Sequence, residues 1–191
     1  MTTAKGLGAG YAAIGGVLCH DRVYAAIASG SRAFEHGHTW DGAPLPCAVG
    51  LAVIEQLHEG GLVGRVAERG PSLRDELAAP LADVAMVREV RGRGFLLGVD
   101  YVDPRDGESL LPPELGVARR IDETALANGL CVYSTQPTAD GWAGDQTLLA
   151  PAFVASEDEL AEMIERLDRT VRTVQAEVER ELSASGAPVA T

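Results

Sequence analysis

Ala4-Lys5-Gly6-Leu7-Gly8-Ala9-Gly10-Tyr11, followed by Ile14-Gly15-Gly16-Val17, decides how the rest of this chain is read. The first part is a glycine-rich turn after a very short stub. The second opens the apolar run Ile14 to Cys19, which reads as a short buried strand. Lys5 is the only lysine in a chain whose 16 basic residues are otherwise all arginine. Arginine stays protonated and cannot act as an amine nucleophile, whereas lysine can lose its proton and form an imine. A single lysine kept where arginine is the general choice suits a position that guanidinium could not fill. Chance survival is the alternative, and for a bare glycine-rich turn so is a flexible surface loop.

Composition narrows the setting. With 191 residues, 46% hydrophobic and 23% charged, the chain is long enough for one large domain or two small ones. A net charge of -12 sets it against phosphate backbones and anionic lipid, so neither nucleic acid nor membrane surfaces are expected partners. No apolar stretch approaches the length of a bilayer span, and the first residues resemble neither a signal nor a transit peptide. Cys19, Cys47 and Cys131 lack CxxC spacing and read as reduced, buried thiols of a cytoplasmic protein, with no zinc site implied.

Outward from the lysine turn, Asp21 is placed to cap a helix through Ala28, and residues 29–42 read as a loop. Pro44 suits the first turn of a helix that Gly60-Gly61 ends. A second helix, Leu62 to Ala79, is expected to break at Gly70-Pro71, because an internal proline costs about 3 kcal/mol. Val84–Val90 and Phe95–Val102 read as an antiparallel pair separated by Arg91-Gly92-Arg93-Gly94. Pro112 opens a helix to Ala127, stopped by Asn128-Gly129, and Leu130–Tyr133 and Thr147–Leu149 read as short strands. Ser156 and Glu159 form a capping box for the last helix. Leu160, Met163, Ile164, Leu167, Val171, Val174, Val178 and Leu182 make its packing stripe, and disorder is expected from Ser183.

Four motifs in order then resemble one family. The lysine turn with Ile14-Gly15-Gly16-Val17 is similar to the lysine loop of class III aminotransferases, fold type I enzymes dependent on pyridoxal phosphate. Phe34-x-His36-Gly37-His38-Thr39-Trp40-x-Gly42-x-Pro44 resembles that family's second signature. Val90-Arg91-Gly92-Arg93-Gly94-Phe95 and Leu148-Leu149-Ala150-Pro151 resemble strands of its C-terminal domain. The similarity covers nearly the whole chain.

The resemblance implies an α/β fold: a C-terminal remnant of the large cofactor-binding domain plus an α+β small domain with an antiparallel sheet. Residues 1–60 would be the partial large domain, 61–79 a linking helix, 80–182 the small domain and 183–191 the tail. It implies a Schiff base between Lys5 and pyridoxal 5'-phosphate, with Lys5 also shuttling a proton. It implies a homodimer in which Thr39 hydrogen-bonds the phosphate of the neighbouring subunit's cofactor. His36 and His38 read as loop histidines near the cofactor rather than a metal pair, with His38 touching phosphate through its backbone. Arg91 and Arg93 fall in a structural hairpin of the pattern, an anion site being the other reading. The substrates implied are a small amino donor and a carbonyl acceptor.

The chain also departs from the family pattern. Where many relatives carry an arginine for the substrate carboxylate, Tyr133-Ser134-Thr135 stands, and no arginine follows before Arg166. Asp140-Gly141-Trp142-x-Gly144-Asp145 resembles a subset of the family whose substrates the sequence does not disclose. The phosphate cup, the ring stacked on the pyridine and the carboxylate paired with its nitrogen precede the lysine in relatives, and four residues precede it here. The expectation is a truncated gene model, a split gene or a degraded copy, weak or inactive alone, with Gly70-Pro71 and Ala152 taken as signs of relaxed constraint. A non-catalytic association module, or an aminomutase or decarboxylase using the same lysine, are the other readings.

Overall fold

A computed structural model describes residues 1–138 and 141–185. The chain divides into two units, one from Met1 to Val63 and one from Gly64 onward.

In the first unit, β1 (Thr2–Thr3) pairs antiparallel with β2 (Gly16–Val17), Thr2 facing Val17 and Thr3 facing Gly16. The strand expected over Ile14 to Cys19 is therefore shorter and is not buried: the ladder covers Gly16 and Val17, Leu18 adds a pair of hydrogen bonds with Met1 at the chain end, and Val17 and Leu18 are exposed. Helix α1 spans Asp21–Ser29. Its N-cap is His20 rather than Asp21: the His20 Nδ1 accepts from the Arg22 N–H at 3.2 Å, which leaves Asp21 in the first turn, where a carboxylate meets the positive end of the dipole. Helix α2 spans Pro44–Glu59, with proline where its missing N–H costs nothing, and closes on Gly60, whose N–H donates to the Gln56 carbonyl at 3.1 Å.

Helix α3 (Leu62–Leu81) begins just before the boundary and runs unbroken through Pro71 and Pro80. The expected break at Gly70-Pro71 does not occur. Leu73, Leu77 and Leu81 bury one stripe of the helix and hold it on the sheet, which offsets the hydrogen bond that Pro71 removes. Gly70 is there for another reason. A Cβ on it would lie 2.5 Å from the Gly94 Cα, so α3 crosses the β3–β4 turn glycine on glycine.

The sheet of the second unit has the order β3-β4-β6-β5, antiparallel throughout: β3 (Val87–Arg93), β4 (Leu96–Tyr101), β5 (Tyr133–Thr135) and β6 (Asp145–Leu149). The Arg-Gly-Arg segment expected to separate the first two strands belongs to β3 itself, and the turn is Gly94-Phe95. Alternation puts Leu97, Val99 and Tyr101 of β4 on one buried face. The helix expected from Pro112 is split. A single 3-10 turn, Pro113–Leu115, ends at Gly116 with φ +58°, and α4 (Val117–Ala127) starts from there.

Helix α5 (Glu157–Ser185) covers the core with Leu160, Leu167, Val171, Val174, Val178 and Leu182. Its capping box forms as expected. The Ser156 N–H donates to the Glu159 carboxylate at 2.7 Å, and the Glu159 N–H donates to the Ser156 hydroxyl at 3.3 Å. Helix continues through Ser183 to Ser185, where disorder was expected; residues 186–191 of the tail lie outside the described residues. Among the described residues no helix is long and apolar enough to cross a membrane. All three cysteines are free and exposed, not buried: Cys19 and Cys47 lie in a unit with almost no interior, and Cys131 lies in the link to β5.

Candidate active site

Lys5 opens a 3-10 turn, Lys5–Gly8, directly after β1. Ala4 is extended and Lys5 swings to φ +50°, a left-handed conformation uncommon for a side-chain-bearing residue. The Leu7 N–H then donates to the Ala4 carbonyl at 3.1 Å, and the Ala9 N–H donates to that of Gly6 at 3.1 Å. Ala9 is left-handed as well, at φ +47°. Two such residues in five store strain of about 1–3 kcal/mol each, which neighbouring structure must hold. The Lys5 side chain is exposed.

The turn has a seat. Ile14, just before β2, reaches under it. A Cβ on Gly8 would lie 3.1 Å from the Ile14 Cγ2, and a Cβ on Gly50 of α2 would lie 3.0 Å from the Ile14 Cδ1 and 3.7 Å from the Leu7 carbonyl oxygen. Gly8 and Gly50 are the two buried residues of the first unit. Sequence reasoning passed over Gly50 as one more helical position. The available signal was an isolated glycine inside a run of good helix formers, which marks a close approach.

The loop before α2 carries the other expected residues. The Asp41 carboxylate accepts the His38 main-chain N–H at 2.8 Å and lies 3.4 Å from its Nδ1. That main-chain bond, with the histidine charge beside it, holds the Asp41 carboxyl below its ordinary value. The His38 N–H, expected to meet phosphate, is thus on Asp41 in this structure. The His36 and His38 rings meet edge to face at 5.0 Å, and Phe34 packs on His36 at 5.9 Å. Thr39 is exposed. The structure brings His36, His38 and Asp41 together. Among the described residues it forms no group of three or more metal-binding side chains and no hydrogen bond from Lys5 to Thr39 or to either histidine.

Arg91 lies in the hairpin. Its guanidinium bonds Asp100 at 2.6 Å and Gln146 at 2.8 Å, with Arg88 on the same carboxylate at 3.1 Å. Burial raises the Asp100 carboxyl, but the two guanidiniums outweigh it and hold the group below its ordinary value. Arg91 is thereby engaged within the sheet, while Arg93 is exposed. Ser134 and Thr135 are tied into the sheet: the Ser134 N–H donates to Asp122 at 3.0 Å, and its hydroxyl lies 2.7 Å from that of Thr147. Arg166 is held by the Gly129 carbonyl and Glu162. Asp140 lies outside the described residues. From the same motif, Asp145 is buried on β6, where it accepts the Ala118 N–H at 2.9 Å and so caps α4 from across the fold.

A lysine on a strained turn, a histidine loop ahead of a proline-started helix and a glycine-bearing hairpin now stand in order on one chain. The family model "Aminotransferase class-III" matches residues 1–171. The chain belongs to the class-III aminotransferase family. It is 31% identical over 177 residues to the uncharacterized aminotransferase YodT of Bacillus subtilis, a match over 93% of this chain and 40% of that protein. Among solved structures it resembles an amine transaminase from an uncultivated Pseudomonas species in its PLP-bound form. That likeness has a TM-score of 0.78 and 32% identity over 91% of this chain and 38% of the other. A transaminase from the marine bacterium Virgibacillus aligns with a TM-score of 0.83 and 27% identity, over 93% and 40% of the two chains. This class-III chain therefore spans well under half the length of each relative.

Proposed function

We propose that this chain is the C-terminal portion of a pyridoxal-phosphate-dependent aminotransferase that moves an amino group from a small amino donor to a carbonyl acceptor. The observation that carries the reading is Lys5: the sole lysine, exposed, on a strained turn, in a chain of the class-III family. Its amine fits the aldehyde end of the cofactor, because a lysine amine can attack a carbonyl and form an imine where guanidinium cannot. Thr39 offers a hydroxyl suited to phosphate oxygens, in the proposed homodimer those of the neighbouring subunit's cofactor. His38 would lie beside that phosphate, where the Asp41 carboxylate now takes its N–H. When bound, pyridoxal phosphate supplies an electron sink for the bonds at the amino carbon. Lys5 holds the group, gives up its place to the incoming amine, and then carries a proton on its Nζ. We place the protein in the cytoplasm.

The test is direct. Purified chain is incubated with pyridoxal 5'-phosphate, reduced with borohydride and mapped by mass spectrometry, alone and co-expressed with the N-terminal half of a relative. Label at Lys5, absent from Lys5→Arg, is the expected result. No label on Lys5 in either format would sink its assigned role.

One observation favours a second reading, a non-catalytic association module. The first unit exposes Tyr24, Phe34, Trp40, Leu45 and Leu51 while burying two glycines. An apolar surface of this kind drives self-association. A clean monomer on size exclusion counts against that module and against the proposed homodimer.

A further inference from the structure

We propose that Gly50 and Ile14 are positioning residues for Lys5, forming the seat on which the lysine turn is held in its left-handed conformation; this rests on the reading of Lys5 as the cofactor-holding amine. Three observations converge. Lys5 and Ala9 bracket the turn with positive φ, so the turn does not keep its shape by local preference alone. The two buried residues of the first unit, Gly8 in the turn and Gly50 in α2, both abut the one side chain of Ile14. The approach is close on both sides, and glycine leaves room for it. At 3.0 and 3.1 Å an added Cβ would be tight against Ile14, whose side chain would have to give by a few tenths of an ångström.

The wedge works through shape. Ile14 is β-branched and stiff at its first torsion, so its two branches leave the Cβ in fixed directions, one as Cγ2 and the other carrying Cδ1. One meets the turn and the other meets the helix. Helix α2, started by Pro44, supplies a rigid wall. The backbone of the turn is thereby set against α2, and the Lys5 amine inherits that position. A shift of the turn by about 1 Å is enough to cost on the order of 100-fold where a reacting group must be aligned.

The experiment uses the full chain with Gly50→Ala, Gly50→Val, Ile14→Val and the double variant Gly50→Ala/Ile14→Val. Ile14→Val deletes the Cδ1 that an alanine at 50 would strike and keeps the Cγ2 that meets Gly8. Pyridoxal 5'-phosphate is the probe. The readouts are borohydride-trapped label on Lys5, the imine absorbance, and amide hydrogen exchange across residues 4–11. Gly50→Val should lower the label about tenfold or more and speed exchange in the turn, with exchange across Leu97–Tyr101 and α5 unchanged. Gly50→Ala should show a smaller loss that Ile14→Val restores, a coupling expected only of groups that touch. Label and turn exchange in Gly50→Val matching the parent would overturn the seat while leaving Lys5 in its role. Failure of Ile14→Val to restore Gly50→Ala would also overturn it. Absence of label from the parent as well, both alone and co-expressed with the N-terminal half of a relative, would overturn the role of Lys5 and the positioning role with it.

Discussion

Gly70→Ala should destabilise the second unit, although helix propensity alone predicts the reverse. In an open helix interior alanine is favoured over glycine by about 1 kcal/mol. At Gly70 the new Cβ would lie 2.5 Å from the Gly94 Cα, 2.9 Å from its carbonyl oxygen and 3.0 Å from its carbonyl carbon. All three are backbone atoms, so no side chain can swing aside. Relief requires α3 to lift from the hairpin or the hairpin to bend, and overpacking of this kind costs roughly 1–3 kcal/mol, here at the upper end. Subtracting the propensity gain leaves a net loss of about 1–2 kcal/mol. That corresponds to a fall in Tm of roughly 3–8 °C for a unit of this size. Gly64→Ala is the control. It lies on the same helix with nothing within 4 Å of its Cβ, and it should leave stability unchanged or raise it by up to about 1 kcal/mol. Thermal and urea unfolding of the two variants beside the parent decide the matter. A Gly70→Ala protein as stable as Gly64→Ala would refute the glycine-on-glycine crossing.

The pH dependence of stability separates two buried carboxyls. Burial raises Asp145, so its folded form holds a proton more readily than the unfolded chain, and its contribution falls as pH climbs from the ordinary 3.8 through the folded value; Asp145→Asn should flatten that slope. Asp100, held low by Arg91 and Arg88, contributes stability that is present above 3.8 and lost as pH falls through its folded value. Unfolding free energies measured across acid pH should give parent-minus-variant slopes of opposite sign for Asp100→Asn and Asp145→Asn, and matching signs would contradict the assignment. Ser156→Ala removes the hydroxyl half of the capping box and should cost about 1 kcal/mol, read as earlier hydrogen exchange in the first turn of α5. Equal exchange there would show that the Glu159 contact to the Ser156 N–H suffices alone.

Elements that declare themselves through repetition were legible in the sequence. The stripe of α5 recurs over many turns, so its burial and its capping box could both be placed from spacing. The hairpin of β3 and β4 was visible in two β-rich runs around glycine. Features that depend on contacts distant along the chain were hidden. Gly70-Pro71 reads as a helix breaker locally, because nothing in its neighbourhood reveals that Gly94 lies against it. Asp145 looks like a loop residue beside glycine, and only the fold carries it to the N-terminus of α4. Pro112 looked like a helix start, but Gly116 takes a positive φ and restarts the helix after it. At the candidate site the lysine turn and the histidine loop were both found. The contact under the lysine turn was missed, because Gly8, Ile14 and Gly50 are ordinary residues whose meaning lies in meeting one another.

The two units differ in how they hold their shape, and the difference bears on Lys5. The second unit closes its own core, from Leu73 on α3 through Val99 on β4 to Val171 on α5. The first unit is about the size at which a domain must bury some 60% of its chain surface to stand alone, yet it buries two glycines. Its apolar side chains, Trp40 and Leu45 among them, face outward just beside the loop that carries Thr39. Strain at Lys5 has to be held by surrounding structure, and within this unit the Ile14 wedge is the buried contact available to hold it. Any surface that covers α2 would therefore press on the helix that seats the turn. With Lys5 in its proposed role and α2 as the covered surface, association and the reactivity of Lys5 would be coupled through Gly50: covering α2 should slow hydrogen exchange in residues 4–11 and raise the fraction of Lys5 that traps cofactor. A chain whose turn exchange stayed the same from dilute to self-associating concentrations would break that link.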